Sequence, residues 1–257
     1  MRLPEPLGPV CVLTLITFSG CTQESDPTRV GVAASLSDVM PNLQSQFIEN
    51  RRLQGEDVDL SLIYGGSGEL IAQQRHGGLF DAMFLASRES MIPLIDAGRL
   101  DSFSNIRLGN TLGLVASNSR LQSLSAEPST LENLLQNGEP IGIGSLGVPA
   151  GDYARVWLGS IDGLELSDVN LIEFPNVRAV LAAVEGGAVA SGFVYATDFL
   201  GRDGLSTIAE WRPEDGGPEY GYAYAEGEVV GADFGGFIGE NLEQFVSAGF
   251  TVLVEEE

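Results

Sequence analysis

The sequence predicts an α/β fold of two lobes, each a mostly parallel sheet flanked by helices, with a ligand cleft between the lobes. Three observations lead there. Short apolar strands alternate with helical segments from Arg29 onward, at the pitch that builds parallel sheets. The alternation breaks near Leu108, and a second set follows. Four helices open directly after a strand and a loop, around Ser35, Ser67, Ala150 and Val177. Ligands of such sheets sit beyond the strand C-termini, where those helix starts also lie.

Taken in order, Arg29–Ala34 is a short buried strand. Ser35 caps a helix running to about Glu49, with Leu36, Val39, Leu43 and Phe47 at helical spacing. Val58–Tyr64 is a second strand, and Gly65-Gly66-Ser67-Gly68 turns into a helix from Glu69 to about Arg75. Phe80–Ala86 is a third strand and Met91–Ala97 a third helix. Thr111–Ala116 then leaves the first sheet. The second set runs helix 130–137, strand 140–144, helix 150–159, strand 170–174, helix 177–185, strand 192–195 and helix 196–200. Pro and Gly crowd at 213–221, Tyr222–Glu226 is a return strand, and Phe234–Ala248 is a closing helix in the first lobe. Lobe 1 is therefore expected over 29–108 plus 224–257, and lobe 2 over 109–223.

The N-terminus reads as a targeting segment. Val10–Phe18 is an apolar run after a single Arg2, far shorter than the roughly 20 residues that span a bilayer as a helix. It ends in Ser19-Gly20-Cys21, which resembles a bacterial lipobox and implies acylation of Cys21. Residues 1–20 would then be a lipoprotein-type signal peptide and 21–28 a polar tether. Phe18 stands where a lipobox usually has leucine, and the alternative is an ordinary signal peptide cleaved nearby. Both cysteines, Cys11 and Cys21, lie in this segment, so the mature fold holds no disulfide.

Composition excludes several kinds of chemistry. The chain has 257 residues, 36 of them acidic and 13 basic, for a net charge of −23. Every basic residue is arginine. Without lysine there is no Schiff-base chemistry and no P-loop phosphate site. Nucleic acid, which needs basic footprints, is not an expected partner. His76 is the only histidine and sits beside Gly77-Gly78, where C-terminal helix capping is its simplest use. One histidine provides neither a zinc site nor a Ser–His–Asp triad. Gly142-x-Gly144-x-x-Gly147 follows a strand, but Val148-Pro149-Ala150 precedes the helix, so a dinucleotide site is not expected.

Positive chemistry comes from the helix starts. Their free N–H groups and partial positive charge, converging from both lobes, make an anion site. Taken singly, Ser35 is an N-cap, Ser67 a turn residue and Tyr195 a core aromatic. Their order and local settings are what join them.

Ala33-Ala34-Ser35-Leu36, Gly66-Ser67-Gly68-Glu69-Leu70 with Asp81-Ala82-Met83-Phe84, Val148-Pro149-Ala150-Gly151-Asp152-Tyr153-Ala154, Asn176-Val177-Arg178 and Phe193-Val194-Tyr195 occur in that order. Together they resemble the periplasmic molybdate-binding proteins of ABC importers, from about Arg29 to Val254. The resemblance implies a type II periplasmic-binding fold and a receptor for molybdate or tungstate, not an enzyme. It implies no cofactor and delivery of the ion to an ABC permease. It also implies a monomer in the periplasm or another extracytoplasmic space, touching the membrane only through a lipid anchor.

Residue by residue, the resemblance makes Ser35 and Ser67 donors of a hydroxyl and an N–H. Ala150 and Val177 would donate N–H groups, and Tyr195 its phenol. All are neutral donors, which suits a fully deprotonated dianion and disfavours hydrogen phosphate, whose proton wants an acceptor. The second loop carries Gly65, Gly66 and Gly68 where some members have more serines, which makes its backbone more pliable. Arg178 provides either long-range positive charge or a salt bridge on the lobe surface. Two other readings stay open: the same fold with sulfate or another small anion, and a periplasmic hydrolase using cleft carboxylates.

Overall fold

The computed structural model describes residues 26–123, 131–212 and 217–253. The expected signal segment, Cys21 and most of the tether lie outside the described residues, as does the acidic tail from 254 onward.

The chain lays down β1 (Thr28–Ala33), β2 (Leu60–Gly65), β3 (Ala82–Leu85) and β4 (Ser102–Gly109). It crosses through Asn110 and Thr111 to β5 (Leu112–Ser117), β6 (Ile141–Gly144), β7 (Leu171–Phe174), β8 (Ser191–Tyr195) and β9 (Leu205–Trp211). It returns with β10 (Glu219–Tyr224) and β11 (Thr251–Val252). One sheet has the order β11-β4-β10-β3-β1-β2 and the other β7-β6-β8-β5-β9.

Both sheets are mixed, not mostly parallel. β1 runs parallel to β2 and β3, and β6 to β7 and β8. β10 pairs antiparallel with β3 and β4, β11 with β4, and β5 with β8 and β9. The return strand begins at Glu219, so residues 219–223 belong to the first sheet. That differs from the expected boundary at 223/224 and brings Tyr220 and Tyr222 into its core.

The helices are α1 (Met40–Leu53), α2 (Ser67–Gly77), α3 (Ile92–Asp96), α4 (Asn118–Ser123), α5 (Leu131–Gln136), α6 (Pro149–Gly159), α7 (Val177–Glu185), α8 (Ala196–Phe199), α9 (Val229–Glu240) and α10 (Glu243–Ser247). The expected closing helix is thus two helices with an earlier start. Ser35 does not cap α1. It sits within a 3-10 turn over Ala34–Leu36, and α1 starts at Met40 with Pro41 in its first turn, where a missing N–H costs nothing.

Apolar spacing explains the packing. α7 buries Val177, Val180, Leu181 and Val184, a single stripe at helical period, and Phe193 of β8 lies in the same core. Burying each such side chain contributes about 1.5–3 kcal/mol. Two glycines of 142–147, Gly142 and Gly144, have a packing role. A Cβ on Gly144 would press on Val148, and one on Gly151 would overlap the Gly144 carbonyl. Glycine at both places lets α6 lie directly on β6.

Candidate functional site

The parallel strands aim their C-termini at the cleft, and the helix starts follow from there. β1 and β2 end level, with Ala33 opposite Gly65. The 3-10 turn then presents Ser35, and Gly66 caps α2, whose first residue is Ser67. In the second sheet Gly144 pairs with Phe174. Val148 precedes α6, with Pro149 in its first turn and Ala150 next. Asn176 caps α7, its side-chain oxygen accepting the N–H of Ala179 at 3.0 Å, so Val177 is the first helical residue. Tyr195 ends β8.

Ser35, Ser67, Ala150, Val177 and Tyr195 all line one pocket between the two sheets. Asn176, which the sequence reading had not singled out as a contact, lines it too. With its oxygen used in the cap, its NH2 is the half of the carboxamide left to bond elsewhere. The pocket is small, about 20 Å³. No charged residue is among its lining residues.

The hydroxyls are arranged as donors. Ser67 Oγ accepts the Ala86 N–H at 3.2 Å, leaving its own proton available. Ser35 Oγ lies 2.9 Å from Tyr220 Oη, both buried. Tyr195 Oη is buried and has no partner among the described residues. Burial first, then the neighbouring Tyr220 and Tyr153, push the Tyr195 phenol well above its usual range. Tyr220 is raised too, chiefly by burial. Both therefore stay protonated at any physiological pH.

Glycines set how closely the lobes approach. A Cβ on Gly66 would lie 2.6 Å from the Pro175 carbonyl oxygen, and one on Gly68 would overlap that of Gly147. Each pair joins a loop of the first sheet to a loop of the second. Gly66 and Gly68 thus permit contact across the cleft, which is more specific than the pliability expected of them, while Gly65 packs on Leu70 of its own lobe.

Arg178 lies outside the pocket. It pairs with Asp38 and Asp198, so its charge is committed to ion pairs. His76 Nδ1 meets the Ala72 carbonyl oxygen at 2.7 Å near the end of α2, consistent with a capping role. Among the described residues no helix is long and apolar enough to cross a membrane.

Fold and pocket together define a class: a two-lobe α/β protein of the type II periplasmic-binding architecture, with a small pocket between its lobes. Residues 28–228 match the sequence profile of the bacterial extracellular solute-binding proteins, and the chain belongs to that family. It is similar, at 26% identity over 213 residues, to the "Putative ABC transporter substrate-binding lipoprotein YvgL" of Bacillus subtilis (strain 168), with 79% of this chain and 78% of that one covered. Its fold is similar to the periplasmic molybdate-binding protein of Azotobacter vinelandii (TM-score 0.64, 18% identity, 88% of this chain and 99% of that one). It is equally similar to the sulfate-binding protein SubI of Mycobacterium tuberculosis H37Rv (TM-score 0.65, 14% identity, 88% and 87%).

Proposed function

We propose that this protein is an extracytoplasmic receptor that closes on molybdate or tungstate and delivers the ion to an ABC-type import permease. The observation that carries the reading is the buried phenol of Tyr195, which has no partner among the described residues, in a pocket lined by neutral residues. A buried polar group without a partner costs about 1–3 kcal/mol. A ligand that accepts its hydrogen bond removes that cost. Ser35, Ser67, Ala150, Val177 and Tyr195 are the assigned contacts, the serines through hydroxyl and N–H and the two apolar residues through N–H.

The chemistry selects a ligand class. With Ser67 Oγ already accepting a bond and the Tyr195 phenol held neutral, the pocket is richer in donors than in acceptors. A dianion without protons satisfies every donor, whereas hydrogen phosphate brings a donor of its own to a pocket short of acceptors. A pocket of about 20 Å³ is also far below the roughly 300–1,000 Å³ that organic ligands occupy. That favours a compact ion over an amino acid or sugar. The absence of a cation in the pocket keeps affinity in a range that permits release, since charge-assisted bonds are about twice as strong as neutral ones.

Delivery to a permease and tethering through Cys21 are supported by the name of the Bacillus subtilis relative and by the lipobox-like Ser19-Gly20-Cys21. Sulfate is the second reading, since a sulfate-binding protein shares the fold to the same degree.

A thermal-denaturation series tests the proposal. Millimolar molybdate and tungstate should raise the melting temperature by several degrees, as tight binding to the folded state requires. Stabilisation by sulfate alone would transfer the assignment to that ion. Stabilisation by none of these anions would contradict the proposal.

A further inference from the structure

Three loops of the site each carry a charged residue near their pocket contact, and these three residues meet. Asp38 follows the turn that holds Ser35, Arg178 follows Val177, and Asp198 follows Tyr195. Arg178 Nη2 donates to Asp38 Oδ2 at 2.5 Å, and Arg178 Nε lies 3.0 Å from Asp198 Oδ1. Asp38 sits between β1 and α1, on the side of the first sheet. Arg178 and Asp198 belong to α7 and α8, on the second. The Asp38–Arg178 pair therefore bridges the cleft beside the pocket.

The two carboxylates differ in setting. Asp198 is 0% exposed at its side chain, and its other oxygen accepts the Tyr195 N–H at 3.1 Å. Asp38 is 59% exposed. Asp198 is thus held in place behind the guanidinium by its burial and its bond to the Tyr195 N–H, while Asp38 arrives with the other lobe. Exposed ion pairs are usually worth little, because two long side chains must be ordered to form them. Here the anchor has already ordered the arginine, so more of the attraction remains for closure.

We propose that Arg178 is the latch of lobe closure, set by Asp198 and engaged by Asp38. This rests on the reading of the pocket as an oxyanion site. Arg178 touches no ligand and is a positioning residue. It slows reopening without placing a positive charge on the anion, so retention and pocket selectivity are controlled separately.

The test compares the full-length wild type with D38N, R178Q and D38N/R178Q, by stopped-flow release of molybdate and by small-angle X-ray scattering of the same solutions. D38N should release molybdate about five to ten times faster, with association little changed, and should add nothing in the R178Q background. R178Q also removes the guanidinium beside the buried Asp198 and so reads folding as well as closure; D38N, on an exposed residue, carries the test by itself. Wild-type release rates in D38N, with wild type binding molybdate, would overturn the latch. If wild type binds neither molybdate nor tungstate, the oxyanion reading fails, and scattering still decides the latch. A larger radius of gyration in D38N supports it, and equal radii in every solution overturn it.

Discussion

Tyr220 Oη and Ser35 Oγ lie 2.9 Å apart, and the direction of that hydrogen bond determines whether Ser35 can serve as a donor. Asn110 bears on the direction. Its carboxamide oxygen accepts the Thr111 N–H, so its NH2 faces Thr197 Oγ1 at 2.9 Å and Tyr220 Oη at 3.4 Å. Tyr220 accepts from Asn110, and if it gives its own proton to Ser35, the serine proton is left for the pocket. Asn110 lies at the crossing between the sheets and Thr197 on the far lobe, so this chain of bonds ties the serine to the hinge.

Tyr220→Phe should accordingly weaken molybdate binding about tenfold, the loss of roughly one oriented hydrogen bond, while lowering stability by about 1 kcal/mol. Calorimetry and urea denaturation read the two effects. Unchanged affinity would mean that the Ser35 proton needs no orienting partner.

Tyr195→Phe separates function from stability. Its hydroxyl is buried and unpaired among the described residues. Removing it should leave the ligand-free protein as stable or up to about 1 kcal/mol more stable, yet reduce affinity about tenfold or more. A substitution that lowers ligand-free stability while sparing affinity would place the phenol in the core and not at the ligand.

Gly68→Ala should hold the lobes apart, because its methyl group overlaps the Gly147 carbonyl oxygen and backbone cannot easily yield. Affinity should fall by about a hundredfold or more, with little loss of ligand-free stability, since the clash exists only across the closed cleft. Small-angle scattering with saturating molybdate provides the check: a variant as compact as wild type would show that closure does not need this contact.

Asp198 predicts a pH dependence with a definite sign. Burial pushes its carboxyl up to about 7, outweighing the attraction of Arg178 and the Tyr195 N–H, with Asp38 raising it further and Arg202 opposing. The folded state then holds the proton more tightly than the unfolded chain, whose value is 3.8. Its stabilising contribution is complete below about 3.8 and is lost as pH rises through about 7. Wild type should therefore lose stability relative to Asp198→Asn across that window, by at most about 1.4 kcal/mol per pH unit. A relative gain with rising pH would mean that the Arg178 pairing dominates instead.

Much of this was legible in the sequence where signals are local. The apolar stripe of α7 places Val177 at a helix start, and the parallel strands before each site loop were readable as apolar runs. β4 and β9 were not anticipated: Ser102–Gly109 mixes serines and an arginine, and Leu205–Trp211 is only half-buried, so neither gives a clear apolar run. The partners of the site escaped for a different reason. Tyr220 lies 185 residues from Ser35, and Arg178 lies 140 from Asp38. The carbonyls that require glycine at 66 and 68 belong to the opposite lobe. Periodicity and capping patterns describe one element at a time, and these contacts exist only once both lobes have folded and met.

Calorimetric titration with molybdate, tungstate, sulfate and phosphate at neutral pH tests the donor-rich pocket most directly. Tight one-to-one binding of molybdate and tungstate, with none for phosphate, is the predicted result. Phosphate binding as tightly as molybdate would contradict it, because a protonated ligand would then have found an acceptor in a pocket argued to be short of them.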